Sequence, residues 1–299
     1  MHDVEAVLDR IEPLRGSRTV RDLAGGLTNR NLKVTTDHGI FVVRLSSPSA
    51  GLLAVDREIE YRNTLIAAET VGAGVVDYLP GEGVLVIKWI EGTTFNESDL
   101  LDERNLVRAA QACQRLHSGR RFSNDFDMFD IQRRYLSVVL DKGFRLPARY
   151  RDFEPQVDRI RSALAVQPIA TVPCNNDLLA GNFIDTGDEL RLIDYEYSGN
   201  NDPYFELGNI WSESTLPLGH LEVLITAYDG APSHSRLARA RLLALMSKYG
   251  WMLWAAIQHS VSTLDFDFWA WGMEKYERAV TEFDSPDFER LLADCAQPF

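Results

Sequence analysis

The chain has 299 residues, which corresponds to about two domains at a usual size of ~150 residues each. Hydrophobic residues make up 45% of the sequence and charged residues 25%, a composition that excludes a globally disordered chain and a fibrous protein. The 31 Lys and Arg residues against 44 Asp and Glu residues give a net charge of −13. We therefore expect attraction of small cationic substrates, and no general binding to nucleic acid or to anionic membranes.

The cysteines and the N-terminus indicate a reducing compartment. Cys113, Cys174 and Cys295 are scattered and match neither a disulfide framework nor a zinc site. The N-terminal sequence MHDVEAVLDR lacks the basic and apolar segments of a signal peptide, and the longest apolar stretch, 249–257, is too short to span a bilayer. We expect a soluble, cytoplasmic protein.

The first ninety residues favour strands. The hydrophobic patterns predict helices over 2–14 and 53–70, with strands over 19–24, 31–36, 40–45, 75–76 and 84–90. Glu91-Gly92 then breaks the pattern. We therefore predict a small β-rich unit over residues 1–91 and a larger unit over 92–299.

Most of the chain after residue 92 has helical periodicity. Helices are predicted over 99–118, 126–141, 152–166, 203–215, 219–228, 234–261 and 267–283. The stretch 171–197 differs, because short apolar runs alternate there with Asn, Asp and Gly. This irregular stretch contains the most informative residues of the chain.

Asp177 and Asn182 stand five residues apart in a polar loop, and Asp194 ends a second short strand after a turn at 187–188. A hairpin would bring the three side chains to one edge. Phosphoryl transfer uses such a set, since one carboxylate accepts the proton of the attacking hydroxyl while an amide and a second carboxylate hold Mg²⁺. The alternative is that Asp and Asn only build turns here.

The N-terminal unit contains residues that suit phosphate binding. Gly25 and Gly26 precede Thr28 and Asn29 between two strands, and glycines let backbone N–H groups approach a phosphate. A hairpin turn is the alternative reading of the glycine pair. Arg44 on the strand FVVRL could contact phosphate and Glu58 on the next helix could hold it, although both could equally be exposed charges.

Several segments together resemble the choline/ethanolamine kinases, a family in the aminoglycoside-phosphotransferase branch of the protein-kinase-like fold. They are GGLTNRN, FVVRL, DREIE, VIKWIEG, CNNDLLAGN and LIDYEYSGNNDPYFELGN. The resemblance covers about residues 20–280. It implies an α+β fold of two lobes, with a small β-rich N-lobe, a larger mainly helical C-lobe and ATP bound between them.

The resemblance also implies roles in the catalytic loop. Asp177 would be the catalytic base, and Asn182 and Asp194 would be the Mg²⁺ ligands. Two positions depart from the family. Asn175 replaces a usual His that braces the loop, which puts loop rigidity and rate in question, and Glu206 replaces a usual Asp that anchors the loop.

For the nucleotide, the resemblance implies that Arg44 takes the place of the phosphate-orienting lysine. Glu58 would be its helix partner, with Glu60 as an alternative register. Backbone groups from Lys88 to Ile90 would face adenine.

Four of the six tryptophans lie between 251 and 271. Trp251 and Trp254 share a helix face, which by itself is typical of a packed core. By resemblance these two residues, with Trp271 at a position that is usually Tyr, would surround a trimethylammonium group by cation–π attraction. Tyr197 and Glu213 match further acceptor positions.

The sequence therefore predicts a choline kinase that transfers the γ-phosphoryl group of ATP. Three alternatives stay open: a kinase for ethanolamine or another amino alcohol, an aminoglycoside phosphotransferase, and a non-catalytic choline-binding pseudokinase. The oligomeric state is not predicted.

Overall fold

The computed structural model describes residues 3–23, 26–46 and 48–298. Its N-terminal lobe is built on a five-stranded antiparallel sheet. Its strands lie in the order β1-β2-β3-β5-β4. Their bounds are β1 Arg18–Leu23, β2 Asn29–Thr36, β3 Gly39–Ser46, β4 Val75–Leu79 and β5 Val84–Lys88.

Successive side chains of β3 point alternately to the two faces of the sheet, and this alternation decides what each face contacts. Phe41, Val43 and Leu45 are buried in a small core against helix α1 (Val4–Leu8) and the short turn of helix that follows it. The residues between them, such as Arg44, point to the opposite face. The sheet therefore presents one apolar face to its own core and the other to the cleft.

Helix α2 (Arg57–Ala67) packs beside this sheet and is shorter than the expected 53–70. Asp56 ends the preceding loop by accepting hydrogen bonds from the backbone of Glu58 and Ile59, as an N-cap does. The expected helix 2–14 is also interrupted, because Pro13 begins a separate 3₁₀ turn over Glu12–Leu14.

The C-terminal lobe is mainly helical. Its helices are α3 Glu103–His117, α4 Met128–Asp141, α5 Glu154–Val166, α6 Pro203–Glu213, α7 Leu218–Asp229, α8 His234–Val261, α9 Phe268–Phe283 and α10 Asp287–Cys295. Buried residues occur all round α8, because α4, α6, α9 and α10 pack against it. It is the central helix of the lobe.

The C-terminal lobe also contains short strands between its helices. They are β6 Thr93–Thr94, β7 Val172–Cys174, β8 Phe183–Asp185, β9 Leu190–Leu192 and β10 Gly199–Asn201. β8 and β9 form the hairpin expected from the sequence, β6 pairs with β8, and β7 pairs with β10.

The two-lobed α+β fold expected from the sequence is confirmed. Helix α10 was not predicted, because Ser285-Pro286 reads as the end of the helical pattern and only nine helical residues follow. Among the described residues, no helix combines the length and the apolar character needed to cross a membrane.

Candidate active site

The loop after β7 turns sharply so that its polar residues meet the end of β9. Asn176 and Asp194 both have left-handed backbones, with φ of 67° and 65°. Such angles are uncommon outside glycine and persist where surrounding contacts fix them. Asn176 has these contacts, since its side-chain amide donates to the carbonyls of Tyr197 and Gly199 at 3.1 and 3.3 Å.

Asn175 connects the two halves of this site. Its amide nitrogen donates to the carbonyls of Ile193 and Asp194 at 3.1 and 2.9 Å, and its amide oxygen accepts the backbone N–H of Asp177 at 3.1 Å. Asn175 is fully buried. The residue that departs from the family pattern therefore still braces the loop, through three hydrogen bonds.

Glu206 anchors the same loop from helix α6, as its position in the sequence indicated. Its carboxylate accepts the backbone N–H of Asn176 at 2.8 Å and contacts His117 Nε2 at 3.3 Å. His117 in turn contacts the Tyr228 hydroxyl at 2.8 Å through Nδ1. His117 therefore supports the loop after β7 from behind, and it lines neither of the two cavities described below.

Asp177, Asn182 and Asp194 line one cavity. The Asn182 amide N–H donates to the backbone oxygen of Asp177 at 2.7 Å, which leaves the Asn182 amide oxygen available as a ligand. This oxygen and the Asp194 carboxylate are hard donors of the type that Mg²⁺ prefers. The residues present therefore suit the metal that the sequence predicted.

Arg44 joins the sheet of the N-lobe to this cavity. Its guanidinium donates to Asp194 at 2.8 Å and also to the buried carboxylate of Glu60. The expected pairing with Glu58 is wrong, because Glu58 forms an exposed ion pair with Arg62 at 3.0 Å. Residues two apart on a helix point about 200° apart, so only one of the two glutamates can face the strand.

A second arginine, which the sequence analysis missed, extends the cluster. Arg57 lies one helical turn before Glu60 and contacts it at 2.6 Å, and it also reaches Glu196 at 3.2 Å and the Asn29 amide oxygen at 2.8 Å. Thr28 donates to Glu196 at 3.1 Å. These bonds tie the segment after the glycines to the residue two places beyond Asp194.

Burial among charges shifts the proton affinities of these groups. Burial is the main cause that raises the pKa of Asp177 well above its usual range, and the carboxylate of Asp194 adds to it. Burial also raises the pKa of Glu196, against the opposing effect of Arg57. Burial alone would lower the pKa of Arg44, but attraction to Asp194 and other carboxylates outweighs it and raises the pKa.

A cavity of about 500 Å³ lies between the sheet and the catalytic hairpin. Among its lining residues are Gly26, Arg44, Lys88, Ile90, Asn182 and Asp194. The N–H groups of Lys88 and Trp89 already donate to backbone carbonyls at 2.8 and 3.0 Å, whereas that of Ile90 has no backbone acceptor among the described residues. Gly25, which was expected here, lies outside the described residues.

A second, smaller cavity of about 110 Å³ adjoins the first at Asn182 and Asp194. Besides Asp194, its aromatic and acidic lining consists of Asp177, Tyr197, Glu213, Trp251, Trp254 and Trp271. Thr28 and Asn29, which were expected to face the nucleotide, line this cavity instead. All the acceptor residues expected from the sequence therefore surround one space, which we call the acceptor cavity.

The aromatic rings of the acceptor cavity fix one another. Tyr197 and Trp251 have ring centroids 5.0 Å apart and Trp254 and Trp271 have centroids 5.4 Å apart, both in edge-to-face geometry. The Trp254 indole N–H donates to the Tyr197 hydroxyl at 2.8 Å. The rings thus pack as core residues do and also form the wall of the cavity.

Helix α9 approaches α8 closely enough to bring Trp271 into this wall. A Cβ atom on Gly272 would lie 2.4 Å from the Ala255 Cβ atom, so only glycine permits the contact. Gln258, one turn after Trp254, donates to the carbonyl of Leu27 at 3.0 Å and so fastens the glycine segment to the C-lobe.

Glu213 has a partner that the sequence analysis missed. Lys275 Nζ donates to Glu213 Oε2 at 2.5 Å and lies 4.3 Å from the centroid of the Trp271 ring. Both members of this ion pair are buried, with side chains 3% and 4% exposed. Lys275 stands four residues after Trp271, and this helical spacing was the available signal.

The sequence profile of the choline/ethanolamine kinase family matches residues 20–238. The chain belongs to this family. Membership places it among the ATP-dependent phosphotransferases with amino-alcohol acceptors. The lobed fold, the acidic hairpin and the aromatic cavity described above all lie within or beside the matched segment.

Individual relatives support membership of the family. Protein LicA of Haemophilus influenzae is 28% identical over 215 residues, which cover 68% of this chain and 61% of that protein. Ethanolamine kinase 2 of Rattus norvegicus is 25% identical over 285 residues, which cover 85% of this chain and 73% of the relative.

Solved structures of related proteins have the same fold. A choline/ethanolamine kinase family protein from Mesorhizobium loti superposes with a TM-score of 0.84 at 29% identity, over 98% of each chain. The choline kinase LicA from Streptococcus pneumoniae superposes with a TM-score of 0.79 at 24% identity, over 93% of this chain and 98% of that one, a likeness that shows the fold alone.

Proposed function

We propose that this protein transfers the γ-phosphoryl group of ATP to the hydroxyl of choline, giving phosphocholine and ADP. The observation that carries the proposal is the position of Asp177. It lines the aromatic acceptor cavity together with Asn182 and Asp194, which also line the larger cavity between the lobes. An acceptor held by the rings would present its hydroxyl beside the carboxylate and close to the phosphates.

Asp177 is the proposed base. The choline oxygen forms a bond to the γ-phosphorus, the bond from that phosphorus to the β–γ bridging oxygen breaks, and the hydroxyl proton goes to the Asp177 carboxylate. Because burial and neighbouring carboxylates raise the pKa of Asp177, this carboxylate accepts a proton more readily than an exposed aspartate does. Catalysis rests largely on positioning.

Asn182 and Asp194 are the proposed ligands of Mg²⁺, and Arg44 is the proposed contact of the ATP phosphates. When bound, the metal neutralises phosphate charge. An acidic protein needs such help to bind a tetra-anion, since its net charge is −13. Gly25 and Gly26 are the proposed phosphate loop, and Lys88 and Ile90 the proposed backbone contacts of adenine.

The aromatic lining supports choline over ethanolamine. A primary ammonium has three N–H donors that ring faces satisfy poorly, whereas a trimethylammonium group has none and carries apolar methyls. Tyr197, Trp251, Trp254 and Trp271 therefore suit the methylated head. A difference of ~10- to 100-fold in kcat/KM is expected between the two acceptors.

The lining of the acceptor cavity opposes an aminoglycoside. Its four aromatic rings suit one methylated cation better than the several primary ammonium groups of an aminoglycoside, whose N–H donors ring faces satisfy poorly. The contacts of Asn175 oppose a pseudokinase, because they hold Asp177 and Asp194 together although the usual His is missing.

An ADP-release assay with choline, ethanolamine and kanamycin tests the proposal, with Mg²⁺ and with EDTA. We expect turnover in the order choline, then ethanolamine, with none for kanamycin and none in EDTA. Ethanolamine turnover equal to or above that of choline would make the protein an amino-alcohol kinase of another preference. ATP binding without ADP release for any acceptor would favour the pseudokinase.

A further inference from the structure

The ammonium group of Lys275 lies directly behind two residues that line the acceptor cavity. This group lies over the Trp271 ring at 4.3 Å and donates to Glu213 Oε2 at 2.5 Å, and both Trp271 and Glu213 line the cavity. The Lys275 side chain is 4% exposed. A lysine is rarely buried to this extent unless a charge partner compensates it.

The two oxygens of the Glu213 carboxylate are therefore in different situations. Oε2 accepts from Lys275, whereas Oε1 is buried and has no hydrogen-bond partner among the described residues. A buried carboxylate oxygen without a donor is unfavourable, so Oε1 is the atom that a bound cation can compensate. Lys275 thus withholds one of the two acceptor oxygens of Glu213 from any substrate.

We propose that Lys275 is a specificity-determining residue, which favours acceptor head groups without N–H donors by occupying Glu213 Oε2. The proposal rests on the amino-alcohol kinase function proposed above. A primary ammonium could use both oxygens of a free Glu213 carboxylate, because it has three donors to place. A trimethylammonium group has no donor and so loses no hydrogen bond when Lys275 takes one oxygen.

The proposal predicts that removal of the Lys275 charge benefits ethanolamine more than choline. In Lys275→Met, both oxygens of Glu213 become available, and the primary ammonium gains a charge-assisted hydrogen bond that choline cannot form. We expect the ratio of kcat/KM for choline to that for ethanolamine to fall about tenfold or more. The change should appear mainly in KM for ethanolamine, since the reacting hydroxyl is not touched.

Two further variants separate this effect from a loss of structure. Lys275→Arg keeps a cation on Glu213 and should retain the ratio within about threefold. Lys248→Met is a matched control, because Lys248 is a buried lysine that is likewise paired with a glutamate, Glu282, and lies 5.6 Å from the ring of Trp211 outside the acceptor cavity. It should lower stability and leave the ratio unchanged.

If Lys275→Met does not fold, the test moves to a Glu213→Gln background, in which the double variant leaves no uncompensated buried charge. Glu213→Gln and Glu213→Gln/Lys275→Met should then have the same ratio within about threefold, because Lys275 acts on the choice of acceptor only through the Glu213 carboxylate. A larger difference between these two variants would contradict the proposal.

The measurements distinguish failure of this inference from failure of the proposed function. If the parent phosphorylates choline and folded Lys275→Met keeps the parental ratio, the inference is wrong and the function stands. If the parent turns over neither amino alcohol, the function is wrong, and quenching of tryptophan fluorescence by choline and by ethanolamine supplies the ratio as affinities. An unchanged affinity ratio in Lys275→Met would then overturn the inference as well.

Discussion

The two cavities that adjoin at Asn182 and Asp194 differ in the physical means by which they would hold their proposed ligands. On the nucleotide side, two arginines and three carboxylates form a buried network, made of Arg44, Arg57, Glu60, Asp194 and Glu196. On the acceptor side, four aromatic rings surround a small space with one ion pair at its edge. Full charges therefore lie at the proposed phosphate site, and aromatic ring faces line the proposed cation site.

Because the two sides differ in this way, changes on the nucleotide side should affect every acceptor, and changes on the acceptor side should discriminate between acceptors. A tetra-anionic nucleotide needs fixed charges, so a change in the buried network should reduce turnover with any acceptor. Choline is a weakly hydrated monocation and gains from apolar rings. A change in the rings should therefore alter KM for the acceptor and leave KM for ATP nearly constant.

The largest effect is expected at Asp194, which belongs to the nucleotide side. Asp194→Ala should lower turnover at least ~1,000-fold with choline and with ethanolamine alike, because the site loses a proposed Mg²⁺ ligand and one of the two carboxylate partners of Arg44. Steady-state kinetics across a range of Mg²⁺ concentrations would measure the loss. Asp188→Ala, at the exposed turn of the same hairpin, is the control and should stay at the parental rate.

The next effect is expected at Trp254 and should depend on the substrate. Trp254→Ala should raise KM for choline about tenfold or more, by loss of a cation–π contact, with KM for ATP within about twofold of the parent. The KM of Trp254→Phe for choline should lie between those of the parent and of Trp254→Ala. Trp269→Ala is the matched control, since Trp269 stacks on Arg145 and does not line the acceptor cavity.

Thermal unfolding should accompany these kinetics, because Trp254 is also a packed residue that is 6% exposed. A truncation there should cost about 3–5 kcal/mol of unfolding free energy. A Trp254→Ala protein that lost this stability but kept its parental KM for choline would mean that the tryptophans serve the core alone.

A smaller effect should separate two neighbouring glutamates. Glu60→Gln should lower kcat/KM about tenfold with every acceptor, because Arg44 and Arg57 both lose a charged partner. Glu58→Gln removes only an exposed i,i+4 pair, worth about 0.3–0.5 kcal/mol, and should be kinetically silent. Equal losses from the two variants would contradict the assignment of Glu60 as the partner of Arg44.

The smallest effect is expected at Asn175. Asn175→His should remain active, with turnover equal to the parent or up to about threefold higher, since an imidazole can replace one donor and one acceptor of the amide. Asn175→Leu makes none of the three hydrogen bonds and should lose about tenfold. Single-turnover kinetics would compare the chemical step directly. An inactive His variant would show that the loop depends on the amide itself.

The parts of the site whose residues are close together along the chain could be predicted from the sequence. Asp177, Asn182 and Asp194 belong to one loop and one hairpin, so their spacing and the turn at 187–188 predict that they meet. Trp251 and Trp254 share one helix face for the same local reason.

Contacts that depend on packing between elements far apart in the chain could not be predicted from the sequence patterns. Whether Glu58 or Glu60 faces Arg44 depends on how α2 is rotated against the sheet, which local periodicity does not set. Lys275 meets Glu213 from a helix 62 residues further along the chain, so neither residue alone indicates the pair. Arg57 was missed similarly, because DREIE reads as a solvated helix face until its burial is known.

The claim that this protein phosphorylates choline with Asp177 as the base is best tested by an experiment that follows the phosphorus itself. In ³¹P NMR of the parent protein with MgATP and choline, the γ-phosphate signal should be replaced by an equal amount of phosphocholine. Asp177→Asn should slow this conversion ~100-fold or more, with affinity for ATP within about threefold of the parent, because the carboxylate acts on the acceptor hydroxyl. Release of inorganic phosphate alone by the parent, or an Asp177→Asn protein that keeps more than about a tenth of the parental rate, would contradict the claim.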